Sequence, residues 1–247
     1  MDLSELAAIR ASGREARRHP WELSRADFVI RLLQGKVPQG RPVLDIGCGD
    51  AYMLERVCRA YPGRPAYGVD TAYAEQLTAF PGATLVASLE QLPPEAGPAG
   101  LLLLMDVLEH VAEPAQLLKN LVARGLIDAH TTVLVTVPAW QSLFCKQDTW
   151  LGHFRRYRIG LLKKHLGQGG IETLECGYFF ASLVLVRALE VVAERLGLRS
   201  TEGTGLVGWR GGPLLSALLS GCLGLDARLC RAFSLPGLTC YALGKLV

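Results

Sequence analysis

Val43-Leu44-Asp45-Ile46-Gly47-Cys48-Gly49-Asp50 sets two glycines between two carboxylates at the end of a short apolar run. Glycine lacks a Cβ and tolerates left-handed backbone, so such a turn lets a ligand approach the main chain closely. The dinucleotide pattern G-x-G-x-x-G needs a third small residue and lays a pyrophosphate on a helix N-terminus. Here Tyr52 holds the third position, and Asp45 and Asp50 would repel a doubly charged pyrophosphate in a partly desolvated site. A cationic ligand reverses the sign, since Asp45 attracts an ammonium or sulfonium group. Asp70 ends a second apolar run about twenty residues further on, where a carboxylate accepts both hydroxyls of a ribose.

These residues need elements to position them. From Val43 onward, the runs "VLDI", "AYGVD", "ATLVAS", "LLLLMD" and "TTVLVTVP" alternate with helix-like stretches. Near-continuous apolar runs suit strands buried on both faces, and the alternation predicts a parallel, doubly wound α/β sheet. "IETLECGYFF" and "LTCYALGKLV" add two later strands. Between them the sequence predicts apolar helices over Ala181 to Leu196, with a polar stripe of Arg187, Glu190 and Glu194, and over Pro213 to Phe233. The uncharged run of the second is shorter than the ~20 residues that span a bilayer, leaving a core helix, a substrate lid or an interfacial anchor. Upstream, Leu3 to Leu33 reads as two helices broken at His19-Pro20, and Leu92 to Gly100 reads as a surface loop.

The chain has 247 residues, half of them hydrophobic, which matches one domain: a helical cap over 1–40, a cofactor-binding core over 41–180, an apolar helical insertion over 181–235 and a final strand over 236–247. A net charge of +3 is too mild for a nucleic-acid surface. Seven cysteines without a C-x-x-C pair predict reduced thiols, no disulfide scaffold and no metal site. The opening "MDLSELAAIR" lacks a signal-peptide layout. The expected location is cytoplasmic, with peripheral membrane contact through 181–233 as the alternative.

A ligand with a ribose, a positive charge and no phosphate describes S-adenosylmethionine. "VLDIGCGDAYMLE", "YGVD" and "LLLLMDVLEHV" resemble the first, second and fourth motifs of class I S-adenosylmethionine-dependent methyltransferases. "HPWELSR" and "GHFRRY" resemble segments of a bacterial type 11/12-like subgroup. The resemblance implies a Rossmann-like, seven-stranded, mostly parallel sheet with an antiparallel last strand, an N-terminal helical extension and a helical insertion between the last two strands. It also implies roles: Asp45, Gly47 and Gly49 at the methionine moiety, Arg25 on its carboxylate, Asp70 with Thr71 at the ribose, Ser88 and Leu89 at the adenine, and Met105 or Asp106 beneath the sulfonium. Many relatives carry an acidic residue after strand three, where this chain has Ala87-Ser88.

Methyl transfer from a sulfonium is an in-line displacement, so the protein holds the acceptor aligned and, where needed, deprotonated. His110, Asp148 and His153 are the candidate bases, each in a loop expected at the ligand edge. Arg155, Arg156 and Tyr157 in the most basic segment, with Trp140, form the candidate acceptor clamp; the alternative for such arginines is pairing with sheet-edge carboxylates or facing water. The expected reaction methylates oxygen or nitrogen of a small, partly apolar or anionic biosynthetic intermediate. A nucleic-acid or protein methyltransferase and a non-catalytic S-adenosylmethionine-binding protein are the alternatives. An exocyclic-amine nucleic-acid type would carry an Asn-Pro-Pro-Tyr-like turn where this chain has Asp106-Val107-Leu108-Glu109.

Overall fold

A computed structural model describes residues 18–71, 80–198, 209 and 211–247. The helices are α1 (Pro20–Leu33), α2 (Tyr52–Ala60), α3 (Pro114–Ala123), α4 (Lys146–Trp150), α5 (Ile159–Gln168), α6 (Ala181–Arg195) and α7 (Pro213–Phe233). The strands are β1 (Val43–Ile46), β2 (Ala66–Val69), β3 (Ala83–Val86), β4 (Leu101–Met105), β5 (Thr132–Pro138), β6 (Ile171–Phe179) and β7 (Thr239–Leu246). They form a seven-stranded sheet in the order β3-β2-β1-β4-β5-β7-β6. β1 to β5 pair in parallel, and β7 runs antiparallel between β5 and β6. The strand order reverses at β1, so the loops after β1 and β4 flank the crevice in which open α/β sheets bind ligands.

The apolar runs are explained by burial on both faces. Leu102 and Leu104 of β4 join one cluster with Leu44, Ile46 and Val135. Leu101 and Leu103 point the other way, into a second cluster with Val43, Leu134 and Phe28 of α1. Asp45 shares parity with Val43, so its carboxyl faces the α1 side and is only 2% exposed.

Pro20 opens α1 where an N–H would have no helical partner, and His19 accepts a hydrogen bond from the Trp21 amide. The helix expected before this break lies outside the described residues. The Leu92 to Gly100 stretch is less superficial than expected: it contains a short 3-10 turn at Pro94–Ala96, with Ala96 and Ala99 fully buried beneath it.

The inserted helices invert the usual amphipathic arrangement. The polar stripe of α6 points inward: Arg187 reaches Asp148 at 3.1 Å, Glu194 accepts from the Lys146 amide at 3.1 Å, and Arg195 donates to the Ser142 carbonyl at 3.1 Å. Its apolar side faces outward, with Leu185 and Leu189 each about 70% exposed. α7 packs on α1 and β6, burying Leu223, Ala227 and Cys230, while Leu214, Leu218 and Phe233 stay exposed. Asp226 of α7 receives the Ala181 and Ser182 amides and so holds the first turn of α6. Among the described residues, α7 is the one helix long and apolar enough to cross a membrane by length and composition.

Candidate active site at the carboxyl edge of the sheet

The turn after β1 takes left-handed backbone three times in five residues, at Gly47 (φ 73°), Gly49 (φ 53°) and Ala51 (φ 59°). A Cβ on Gly47 would lie 2.5 Å from Val107 Cγ2, which ties the turn directly to the loop after β4. Gly47→Ala therefore adds a clash to a strained φ and is expected to cost about 1–3 kcal/mol. Thermal unfolding of the variant should fall by several degrees and lose its response to cofactor; an unchanged response would show that the turn is not at the ligand.

The residue two positions before α1 clamps this turn. Arg18 donates to Asp50 at 2.6 Å and lies 3.6 Å over the Tyr52 ring. Asp50 also accepts the Tyr52 amide at 3.3 Å, at the start of α2. Tyr52, the misfit in the dinucleotide pattern, is thus the platform for the Arg18 guanidinium just before α1. Arg18 escaped the sequence reading because its partner lies 32 positions away.

Deeper in the crevice, Arg25 donates to Asp106 at 2.6 Å and to Thr136 at 2.8 Å. Its fork thus links the ends of β4 and β5, while Nε lacks a partner. Asp106 is itself left-handed (φ 58°), which turns its side chain toward α1. Asp45 Oδ1 is buried without a hydrogen-bond partner. Burial pushes the Asp45 carboxyl up to about 8; Arg25 opposes the shift and Asp70 adds to it. Asp70, at the end of β2, accepts the Gly49 amide at 2.8 Å, so the ribose candidate also fixes the glycine turn. Thr71 is exposed beside it, Ser88 and Leu89 are half-buried after β3, and Met105 ends β4 buried. The ten expected cofactor residues therefore all lie on α1 or at the carboxyl ends of β1, β2, β3 and β4.

The acceptor-side candidates form a different device. Asp148 is fully buried and accepts from His153 Nδ1 (2.9 Å), Arg156 Nε (2.8 Å), Arg187 Nη2 (3.1 Å) and the Cys145 amide (3.0 Å). Burial alone would raise this carboxyl, but His153, Arg156 and the Cys145 amide hold it well below the usual carboxylate range. It is a fixed anion that orients His153, which leaves no free oxygen for the expected role as a base. Arg156, 6% exposed, also donates from Nη1 to the Ala139 carbonyl at 3.3 Å, so it braces the interior instead of facing an acceptor.

Its neighbours grip the loop after β4. Tyr157 Oη donates to the Leu108 carbonyl (3.1 Å), the Phe154 amide to that of Glu109 (2.8 Å), and the Arg155 guanidinium to those of Val111 and Ala112 (3.0 Å each). "GHFRRY" is thus zippered to "LEHVA" carbonyl by carbonyl. Trp140 donates to the Gly237 carbonyl at 2.8 Å and stacks on Tyr178. The zipper brings the His110 and His153 rings to a centroid separation of 4.6 Å at 86°. Glu109, fully buried, has no hydrogen-bond partner on either carboxylate oxygen. Burial, with the charge of Asp106 adding to it, pushes that carboxyl well above its usual range.

A methyltransferase domain family matches residues 14–166, well over half of the chain. The chain belongs to this methyltransferase family. It is a methyltransferase whose cofactor is S-adenosylmethionine. No curated protein sequence matches it. Solved structures share the fold at low identity. A candidate methyltransferase from Haloferax volcanii, in complex with the Trm112 methyltransferase activator, is 15% identical over 100% of this chain and 97% of that one, with a TM-score of 0.53. A candidate sarcosine dimethylglycine methyltransferase from Galdieria sulphuraria is 15% identical over 98% and 97%, with a TM-score of 0.52. A methyltransferase of calicheamicin biosynthesis, in its SAH-bound form, is 20% identical over 62% of this chain with a TM-score of 0.45, and this chain spans 50% of that protein's length.

The site fits the cofactor of the methyltransferase family. Asp45 is buried with Oδ1 unpartnered, and a cationic ligand that ionises it would supply the missing partner.

Proposed function

We propose that the protein methylates an oxygen or nitrogen atom of a small, partly apolar acceptor. The observation that carries this reading is the meeting of the two imidazoles, His110 and His153, beside the β4 loop that borders the cofactor crevice. When bound, S-adenosylmethionine supplies an electrophilic methyl carbon. Asp45, Gly47 and Gly49 would receive its methionine end, Asp70 and Thr71 its ribose, and Ser88 and Leu89 its adenine. Met105 and Asp106 would form the floor under the sulfonium.

On the acceptor side, Asp148 receives the Nδ1 hydrogen of His153 and thereby leaves the Nε2 lone pair free to meet an acceptor hydrogen. Arg155 and Tyr157 position that imidazole by fixing the two loops to one another, and Arg156 does so by holding Asp148. The outward apolar sides of α6 and α7 favour an acceptor drawn from an apolar phase and a peripheral contact of this surface with lipid.

Transfer of a labelled methyl group decides the matter. The purified protein is incubated with labelled donor and a panel of phenols, hydroxylated isoprenoids, sugars and amines, free or in phosphatidylcholine vesicles. Label is expected on an apolar hydroxyl or amine, with faster transfer from vesicles. Transfer confined to RNA, DNA or protein substrates would overturn the reading.

A further inference from the structure

We propose that Glu109, His110 and His153 form a binding site for one divalent first-row transition-metal ion, such as Zn²⁺, Co²⁺ or Mn²⁺, between the loop after β4 and the loop after α4. Each offers one ligand atom, and these atoms all lie within 4.8 Å of one another. The donor set, two imidazoles and a carboxylate, suits such ions better than the all-oxygen shells of Mg²⁺ or Ca²⁺. Bonds of about 2.0–2.2 Å to one ion place ligand atoms roughly 3.4 Å apart in tetrahedral geometry. His110 is exposed at the rim of the group.

The burial of Glu109 is the second, independent observation. A fully buried carboxyl with no side-chain hydrogen-bond partner on either oxygen is costly; its own amide and the more distant charges of Arg25 and Arg156 offset burial and the charge of Asp106 only in part. Coordination would satisfy it. The third observation lies one shell out. His153 Nδ1 is held at 2.9 Å by Asp148, the carboxylate-histidine arrangement that fixes the tautomer and points Nε2 at a metal. Asp148 is in turn pinned by Arg156 and Arg187, and the carbonyl zipper fixes the two loops. With the ion bound, His153 Nε2 is a ligand and no longer the base; the ion keeps positions open for an acceptor oxygen and lowers the pKa of a hydroxyl bound there, whose proton passes to solvent.

The site itself stands on geometry, while its part in transfer rests on the function proposed above. The test therefore measures metal binding without methyl donor. Chelator-treated protein is titrated with Co²⁺, followed by its visible absorption, and with Mn²⁺, followed by electron paramagnetic resonance. One ion per chain is expected, with affinity reduced at least a hundredfold in His110→Ala and about 10- to 100-fold in Glu109→Gln. Because seven cysteines could capture Co²⁺, binding that survives both substitutions counts against the site. In wild-type protein, substoichiometric Mn²⁺ should selectively broaden the imidazole proton resonances of His110 and His153, a readout that does not depend on the variants folding. Absence of broadening, or of stoichiometric binding, overturns the proposal; so does transfer activity that ignores chelation while metal binds elsewhere.

Discussion

Replacing Asp45 by asparagine is expected to weaken S-adenosylmethionine binding about 10- to 100-fold while leaving the free protein at least as stable as wild type at neutral pH. The carboxyl is buried, lacks a partner on Oδ1 and holds its proton up to about pH 8. Losing a charge-assisted hydrogen bond costs about 1.5–3 kcal/mol, which sets the affinity change. The stability arm follows from the proton balance. Between the unfolded carboxylate value near 4 and the folded value near 8, the native state keeps a proton that the unfolded state has lost. Wild-type stability therefore falls as pH rises through this window, and the variant lacks that fall.

A cofactor ammonium favours the ionised form, so wild-type affinity should rise between about pH 6 and 8, with proton release on binding, while the variant should be nearly flat. Calorimetry in two buffers of different ionisation enthalpy reads both quantities. Equal affinity in variant and wild type would remove Asp45 from the cofactor site.

The second large effect concerns stability. Arg156→Ala should destabilise the fold by about 3–5 kcal/mol, because it strips a partner from a buried carboxylate and leaves uncompensated charge. For a chain of this length that is a fall in melting temperature on the order of 10 °C. The acceptor-clamp reading of Arg156 predicts the opposite signature: a normal melting temperature and cofactor affinity, with turnover lost. Differential scanning calorimetry alongside a transfer assay separates them. Asp148 accepts from both Arg156 and Arg187, so the companion change Arg187→Ala should act in the same direction and combine less than additively. Strict additivity would mean that the two arginines do not share Asp148 energetically.

Much of the fold was legible because burial on both faces leaves a plain trace. Strands such as β4, Leu101 to Met105, are apolar at every position, and the start of α7 follows from Pro213, which is pre-set for a first helical turn. The glycine turn was equally readable, since left-handed φ values of 73° and 53° favour glycine and the flanking aspartates set the sign of the ligand. The expected cofactor residues gather in space because, Arg25 on α1 apart, they sit at the carboxyl ends of β1 to β4, and a parallel sheet brings those ends to one edge.

The acceptor side could not be read so directly. Side-chain type shows that Arg156 is cationic but not which way it points, and only packing against Asp148 and Ala139 turns it inward. The polar stripe of α6 was visible as a stripe, yet its inward direction depends on where Asp148 and Lys146 lie. The unpartnered Glu109 emerges only once burial is known. Sequence determined the sheet, the turn and the charge preference of the ligand, because these follow from backbone geometry and local periodicity. The tertiary structure decided which charges are braces and which stand unpaired, because that depends on partners brought together from distant parts of the chain.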